Sequence, residues 1–421
     1  MKKSVICILL CAVLVFSLTA CAGNSVNLSS NVKYSTAHEK YNFLSEDTKS
    51  PEGYEDYINS TNNFSVELFK SAYKDGKKST VISPVSVILA LSMCANGAKD
   101  DTQKEFTDTI FQGMKMDYVN KCSSYLLQRL QFFKNDDCKL NIANSIWFNK
   151  ELNIESSFLT KNKDFYEAGI FKTDLQDEKA LSDINNFVKD NTDGMIEKIL
   201  DEMNPDAQMI LLNAIAIEDE WATEYKKECV SNGTFFGANG DTDAEFMYSK
   251  ETYIKGKDAQ GFVKNYKNLP LKFVAILPNE DINISDYIDK LTSEDFSNLM
   301  SSQSGISKCD AFLPKFNFDF DTNLKENLKS LGIEKAFSDS ADFSKITTDT
   351  QLFINSVIHK AHIETDENGT KAAAATAITM VDTTAALEEE TPTVKLDRPF
   401  VFALVDNESN LPVFLGCVTD I

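Results

Sequence analysis

Histidine is scarce: His38, His359 and His362 are the only three in 421 residues. His359 and His362 fall three positions apart in a run predicted to be a strand. They therefore point to opposite faces and cannot share a metal ion. G-x-S-x-G, H-E-x-x-H, P-loop and G-x-G-x-x-G motifs are all missing, which removes several common hydrolase, metalloprotease and nucleotide chemistries. Carboxylates are abundant, but in so acidic a chain a pair of them reads first as a solvated face. No cofactor or metal is asked for, and no enzymatic activity is expected. Basic residues are in deficit: 42 Lys and Arg against 64 Asp and Glu leave a formal charge of −22. A nucleic-acid surface needs the opposite sign, so nucleic acid is excluded as a partner; the charge suits solubility outside a cell. There is no C-x-x-C pair. The six cysteines after Cys21 (Cys94, Cys122, Cys138, Cys229, Cys309, Cys417) specify neither a zinc site nor a disulfide framework and read mostly as small buried hydrophobes.

The apolar stretch near the N-terminus, Val5 to Phe16, is shorter than the ~20 residues a membrane-spanning helix needs. It follows Lys2 and Lys3 and leads through Leu18, Thr19 and Ala20 to Cys21, the layout of a secretion signal. Because a cysteine stands at the cleavage point, residues 1–20 resemble a bacterial lipoprotein signal, with an ordinary signal or a membrane anchor as the alternative. Cys21 is then the lipidation site, and the protein is expected outside the cytoplasm, held to a membrane at the cell surface or secreted. Residues 21–57 are polar and aperiodic and read as a flexible tether. Residues 58–421 exceed the ~250–300 residues that one core usually covers. No second linker divides them, so one large domain is expected, with two as the alternative.

In SPVSVILALSMCANGA, Ser83 can cap a helix with Pro84 at its first position, Val87, Ile88, Leu91 and Ala95 recur at helical spacing, and Gly97 ends it. Residues 182–200 predict another helix ending near Gly194. The second half reads as strands at 208–217, 271–278, 311–320, 352–364 and 399–405, interrupted by a helix with Leu324, Leu328 and Leu331 on one face and Gly332 at its end. Residues 406–410 form a hairpin loop before the last run. The whole is an α+β domain: helices on a large mixed, mostly antiparallel sheet with smaller sheets. One segment resists this reading. ENGTKAAAATAIT, residues 367–379, suggests a helix by alanine propensity alone, yet strands stand on both sides of it.

The motifs in order resemble the serpin family from about Asn62 to Thr419. They are Ser83-Pro84-Val85-Ser86, Ile142 to Trp147, Thr192-Asp193-Gly194-Met195-Ile196, Leu212-Asn213-Ala214-Ile215 with Trp221, Leu313-Pro314-Lys315-Phe316, Ala341-Asp342-Phe343-Ser344, Arg398-Pro399-Phe400 and Phe414-Leu415-Gly416. The resemblance implies a five-stranded main sheet and an exposed reactive loop at about 367–393. Its hinge comprises Glu367, Gly369, Thr370, Ala372, Ala373, Ala374, Ala375 and Thr376, and enters the sheet as a new strand once a protease cuts the loop. Residues facing inward there must be small and uncharged, at every second position. Taking Thr370 as the first gives Thr370, Ala372, Ala374, Thr376, Ile378 and Met380, with no charge and no proline, while Lys371 faces outward.

The same resemblance puts His359, Asn213, Ser83 and Ser86 in a polar cluster beneath the strands that open. It puts Lys315, Glu367 and Trp221 where the loop first enters. Taken without it, each reads as ordinary core polar satisfaction or a surface ion pair. Counting from the hinge places the cut at Thr383–Thr384; counting back from Val394 places it near Ala386, Leu387 or Glu388. Departures from the family pattern are Glu218-Asp219 for Lys-Gly, Tyr225 for Phe, Lys345 for Gly and Lys371 for Glu. The resemblance implies a suicide-type inhibitor of serine proteases, elastase-like or subtilisin-like given the small and aliphatic residues about the cut, with cysteine proteases open as a second class of target. A monomer is expected. The alternative is a non-inhibitory serpin-fold binding protein or a plain protease substrate.

Overall fold

The computed structural model describes residues 25–73, 78–135, 137–204, 206–302, 308–370 and 391–421. A two-residue strand β1 (Val26–Asn27) is followed by α1 (Tyr54–Ala72), β2 (Thr80–Ile82), α2 (Pro84–Ala95), α3 (Asp100–Phe111), α4 (Met116–Phe132), β3 (Lys139–Asn149), α5 (Ser156–Tyr166), β4 (Gly169–Thr173) and α6 (Glu178–Asn191). Strands then dominate: β5 (Met209–Glu220), β6 (Val230–Gly237), β7 (Gly240–Lys255), β8 (Ala259–Asn265) and β9 (Leu271–Pro278). After α7 (Ile284–Lys290) and α8 (Ser293–Ser301) come β10 (Lys308–Pro314), β11 (Phe316–Asn323), α9 (Lys325–Ser330), β12 (Ser356–Thr365), β13 (Gly369–Thr370), β14 (Thr393–Lys395), β15 (Phe400–Asp406) and β16 (Pro412–Val418).

The strands form two sheets. One has seven strands in the order β1-β4-β3-β5-β13-β12-β11; the other has nine, β14-β10-β7-β8-β9-β15-β16-β2 with β6 paired to β7. The central helix α2 is buried along its whole length, as a helix apolar on nearly every side requires; its two polar residues, Ser86 and Ser92, are hydrogen-bonded. Ser83 caps it by accepting from Ser86 N at 3.3 Å, and Pro84 takes the first turn, where its missing N–H costs nothing. β5, buried at ten of its twelve positions, is the near-continuous apolar run expected of a strand covered on both faces. A main core fills the space between the sheets and α2, and a second cluster of Trp147, Phe171, Ile184 and Val188 lies under α6 on the other face of the seven-stranded sheet.

Four expectations change. The main sheet has five long strands, β4, β3, β5, β12 and β11, but also two short ones, β1 and β13. The run 311–320 is two strands in different sheets, β10 and β11, and Lys315 is the single residue between them. Residues 230–265 and 284–301, unassigned from sequence, hold three strands and two helices whose charged, half-exposed faces hide their periodicity.

The fourth change is the tether. From Ser25 onward the residues expected to be flexible lie against the body: β1 pairs with the edge strand β4, and Ser25 Oγ donates to Thr173 Oγ1 at 2.9 Å. Ser35 N donates to the buried Asp164 carboxylate at 2.8 Å, and Tyr41 and Phe43 pack edge-on against Tyr125 at 4.9 and 5.1 Å. Aromatic edge contacts of this kind, although formed by a polar and aperiodic stretch, contribute about 0.5–1.5 kcal/mol each. Cys21 lies outside the described residues.

Candidate functional site

β5 and β12 pair in parallel from Ile210/Ser356 to Ile215/Ala361, and above that level they part. β13 fills the top of the gap, antiparallel to both neighbours: Gly369 faces Glu220, and Thr370 faces Asp219 and Thr365. The start of the hinge, expected in an exposed loop, is thus already within the sheet. Thr370 is 1% exposed and shares a hydrogen bond of 2.5 Å with the Tyr266 hydroxyl, so it faces inward as its place in the alternation predicts. Gly369 approaches β5 so closely that a Cβ there would lie 2.1 Å from the Asp219 carbonyl oxygen. Lys371, Ala372 to Thr376, Ile378, Met380, and the cut-site candidates Thr383, Thr384, Ala386, Leu387 and Glu388 lie outside the described residues.

The chain reaches β13 over a platform formed by the turn 221–225. Trp221 N donates to Asn368 O at 2.8 Å, Tyr225 N to Glu367 O at 2.9 Å, and the Trp221 indole to Asp366 O at 2.9 Å. Trp221 stacks on Tyr266 at 4.8 Å. Lys315 bridges Glu367 at 2.8 Å and Glu245 at 3.2 Å; its hydrogen bond holds the Glu367 carboxyl below the usual range. Both side chains are about a quarter exposed, so the pair contributes at most ~1 kcal/mol. Lys315, Glu367 and Trp221 are therefore brought together. Sequence reasoning missed Tyr266 and Asp219. The Asp219 carboxylate, almost wholly buried, accepts from Leu269 N at 2.7 Å and Asn268 Nδ2 at 2.8 Å, which fixes the turn that carries Tyr266. The acidic departure at position 219 was its only signal.

Lower down, where β5 and β12 still touch, Asn213 and His359 stand opposite each other. Ser83 N donates to His359 Nε2 at 3.1 Å, so the ring proton sits on Nδ1 and is donated to Asn213 Oδ1. Asn213 Nδ2 donates onward to Ser86 Oγ and, at 2.5 Å, to Asn144 Oδ1. Ser83, Ser86, Asn213 and His359 thus form one connected cluster, with Asn144 as a member not foreseen. Complete burial pulls the His359 pKa down to about 3, and the imidazole is neutral. The Asn213–His359 bond ties the two strands together below the gap. His362, on the other face, bonds Asp319 at 2.7 Å. Among the described residues no group of three or more His, Cys, Asp or Glu could hold a metal ion, and the six cysteines are free.

Comparison with known proteins places this geometry. A family profile described as Serpin (serine protease inhibitor) matches residues 59–421. The chain is 27% identical to an uncharacterized serpin-like protein of Thermococcus kodakarensis over 97% of both chains, and 28% identical to Serpin B4 of Homo sapiens over 84% of this chain and 96% of that one. Its structure is similar to that of a thermophilic serpin, Tengpin, in the native state, with a TM-score of 0.85 and 38% identity over 94% of this chain and 100% of that one.

Proposed function

The chain belongs to the serpin family, whose members are generally protease inhibitors, and on that premise we propose that it traps serine proteases of elastase-like or subtilisin-like specificity in a covalent acyl complex. The observation that carries this reading is the register of β13. Continued downward, the pairing of Thr370 with Asp219 and Thr365 sets Ala372 against Ile217 and Ile363, Ala374 against Ile215 and Ala361, and Thr376 against Asn213 and His359. Small side chains would meet apolar neighbours, and the one hydroxyl would arrive at the one polar level, where it can replace the Asn213–His359 bond that insertion must break.

In this mechanism the protease serine attacks the scissile carbonyl, forming an ester and releasing the new amino terminus. The freed hinge extends β13 between β5 and β12, using pairing capacity that the parted strands leave open. The ester-linked protease is pulled along, its oxyanion hole is deformed, and water cannot complete deacylation. The protein itself catalyses nothing. By the same reading it acts outside the cytoplasm, with a lipid at Cys21 holding it to the bacterial membrane; palmitate labelling lost in Cys21→Ser tests that part.

Incubation with elastase and with subtilisin, followed by denaturing electrophoresis, is the decisive experiment. An SDS-resistant adduct is expected, and mass spectrometry of it locates the cut among Thr383, Thr384 and residues 386–388. The second reading, a non-inhibitory serpin-fold protein or plain substrate, draws on the length from Gly369 to Val394, which exceeds what the inward set needs. Clean cleavage with no adduct on either protease would establish it.

A further inference from the structure

Beneath the 221–225 turn lies an ion pair, its lysine buried and its glutamate largely so, that no motif foretold. Lys264 of β8, 2% exposed, meets Glu251 of the neighbouring β7 at 2.8 Å. Glu251 also accepts from Ser249 Oγ at 2.8 Å. Burial pulls the lysine below its ordinary pKa, and Glu251 opposes the fall. Removing two charges from water costs as much as or more than their attraction returns, so apolar residues of the same size would serve stability as well or better. The reason for the pair has to be sought in what the ammonium touches.

It touches the support of the hinge and little else. Lys264 Nζ donates to Thr223 O at 2.9 Å and lies 4.2 Å from the centre of the Tyr225 ring and 5.5 Å from that of Trp221, within cation–π range of both. Thr223 is the middle of the turn whose two ends, Trp221 N and Tyr225 N, donate to the hinge carbonyls of Asn368 and Glu367, while the Trp221 indole holds that of Asp366. Apolar packing could fill the space beneath the two rings, but it cannot set the rotation of a peptide plane. A donor aimed at the Thr223 carbonyl can, and once that plane is set the N–H groups on either side point at the hinge.

We propose that Lys264, neutralised by Glu251, is a positioning residue for loop insertion, fixing the 221–225 turn so that three N–H groups meet the carbonyls of residues 366–368. The proposal rests on reading the chain as a loop-inserting inhibitor, and its test separates the two. Lys264→Met alone would leave the Glu251 carboxylate, only 14% exposed, without its cation and risks destabilising the fold, so the variant to make is Lys264→Met/Glu251→Leu. Three quantities are compared with wild type: the melting midpoint, hydrogen exchange at the Trp221 and Tyr225 amides of the intact protein, and the stoichiometry of subtilisin inhibition.

The midpoint should stay at or above the wild-type value, while exchange at those two amides accelerates about tenfold, the equivalent of one weakened hydrogen bond each, and stoichiometry rises several-fold. Wild-type exchange at both amides overturns the proposal. So does acceleration only in step with the rest of the chain, because that marks a merely structural role. If the wild-type protein forms no adduct, the inhibitor reading fails, and the exchange result alone still decides whether Lys264 positions the turn.

Discussion

Replacing Gly369 by alanine puts the seated hinge under direct test. A methyl there would lie 2.1 Å from the Asp219 carbonyl oxygen and 2.8 Å from the Glu220 Cα, both backbone atoms of β5 that cannot swing aside. The hinge must back out of the sheet. With it go the bonds from Trp221 N to Asn368 O and from Gly369 N to Asp366 Oδ1, and the Tyr266–Thr370 contact. At about 0.5–1.5 kcal/mol for each, the intact protein loses roughly 2–4 kcal/mol. For a domain of this size, unfolding with an entropy of roughly 2.1 cal/mol/K per residue, this lowers the melting midpoint by about 3–5 °C. The methyl would meet the same carbonyl in the inserted form, so insertion is slowed as well, and more cleaved protein should be released per protease trapped. Calorimetry of intact Gly369→Ala and titration of subtilisin activity read the two effects separately. Asn368→Ala, whose side chain among the described residues bonds only Asp366, is the control. An unchanged midpoint together with unchanged stoichiometry in Gly369→Ala would mean that Gly369 does not sit against β5, and the register argument for the loop would go with it.

Thr370→Arg should turn an inhibitor into a substrate, because a guanidinium must enter a site that is 1% exposed; gels should show cleavage without adduct, and a persisting adduct would count against insertion at this register. His359 carries a pKa of about 3 in the fold against an ordinary value near 6.5, so the unfolded chain binds its proton first. Its contribution is present in full above about pH 6.5 and is lost as pH falls toward 3, amounting to several kcal/mol at the acid end. His359→Gln should therefore flatten the decline of the midpoint between pH 6.5 and 4 relative to wild type, and parallel curves would refute the assignment. Tyr41→Ala/Phe43→Ala removes two edge contacts to Tyr125, about 0.5–1.5 kcal/mol each, and should expose residues 25–53 to limited proteolysis that spares the wild type.

What was legible in the sequence was local. The Ser83-Pro84 cap, the buried run of β5 and the inward-facing Thr370 each depend on neighbours a few residues away, and each stands in the structure as read; the rest of the alternation, from Ala372 to Met380, lies outside the described residues. Ser83, Ser86, Asn213 and His359 could be grouped only through the family resemblance, since the start of α2, β5 and β12 bring them together across the chain. Asn144, Asp219, Tyr266 and Lys264 stayed hidden for the same reason. Each is an unremarkable polar residue in a strand or turn until a partner dozens of residues away arrives. The run 311–320 looked single because the chain crosses between two sheets within one residue, Lys315, and an apolar strand on either side leaves no composition break. The docking of residues 25–53 was concealed differently: its anchors are isolated aromatic and hydroxyl groups with no period.

That docking also gives the molecule a direction. Ser25 is held beside Thr173, at the end of the seven-stranded sheet where β5 begins, whereas Gly369 faces Glu220 at the other end of β5. Eleven residues of strand separate those levels, roughly 36 Å at ~3.3 Å per residue. Cys21 stands only four residues before Ser25, a reach of at most about 14 Å. With the proposed lipid on Cys21, the bilayer would lie near the foot of the sheet, and Gly369 and Thr370, from which the loop departs, would stand at its head, on the far side from the membrane.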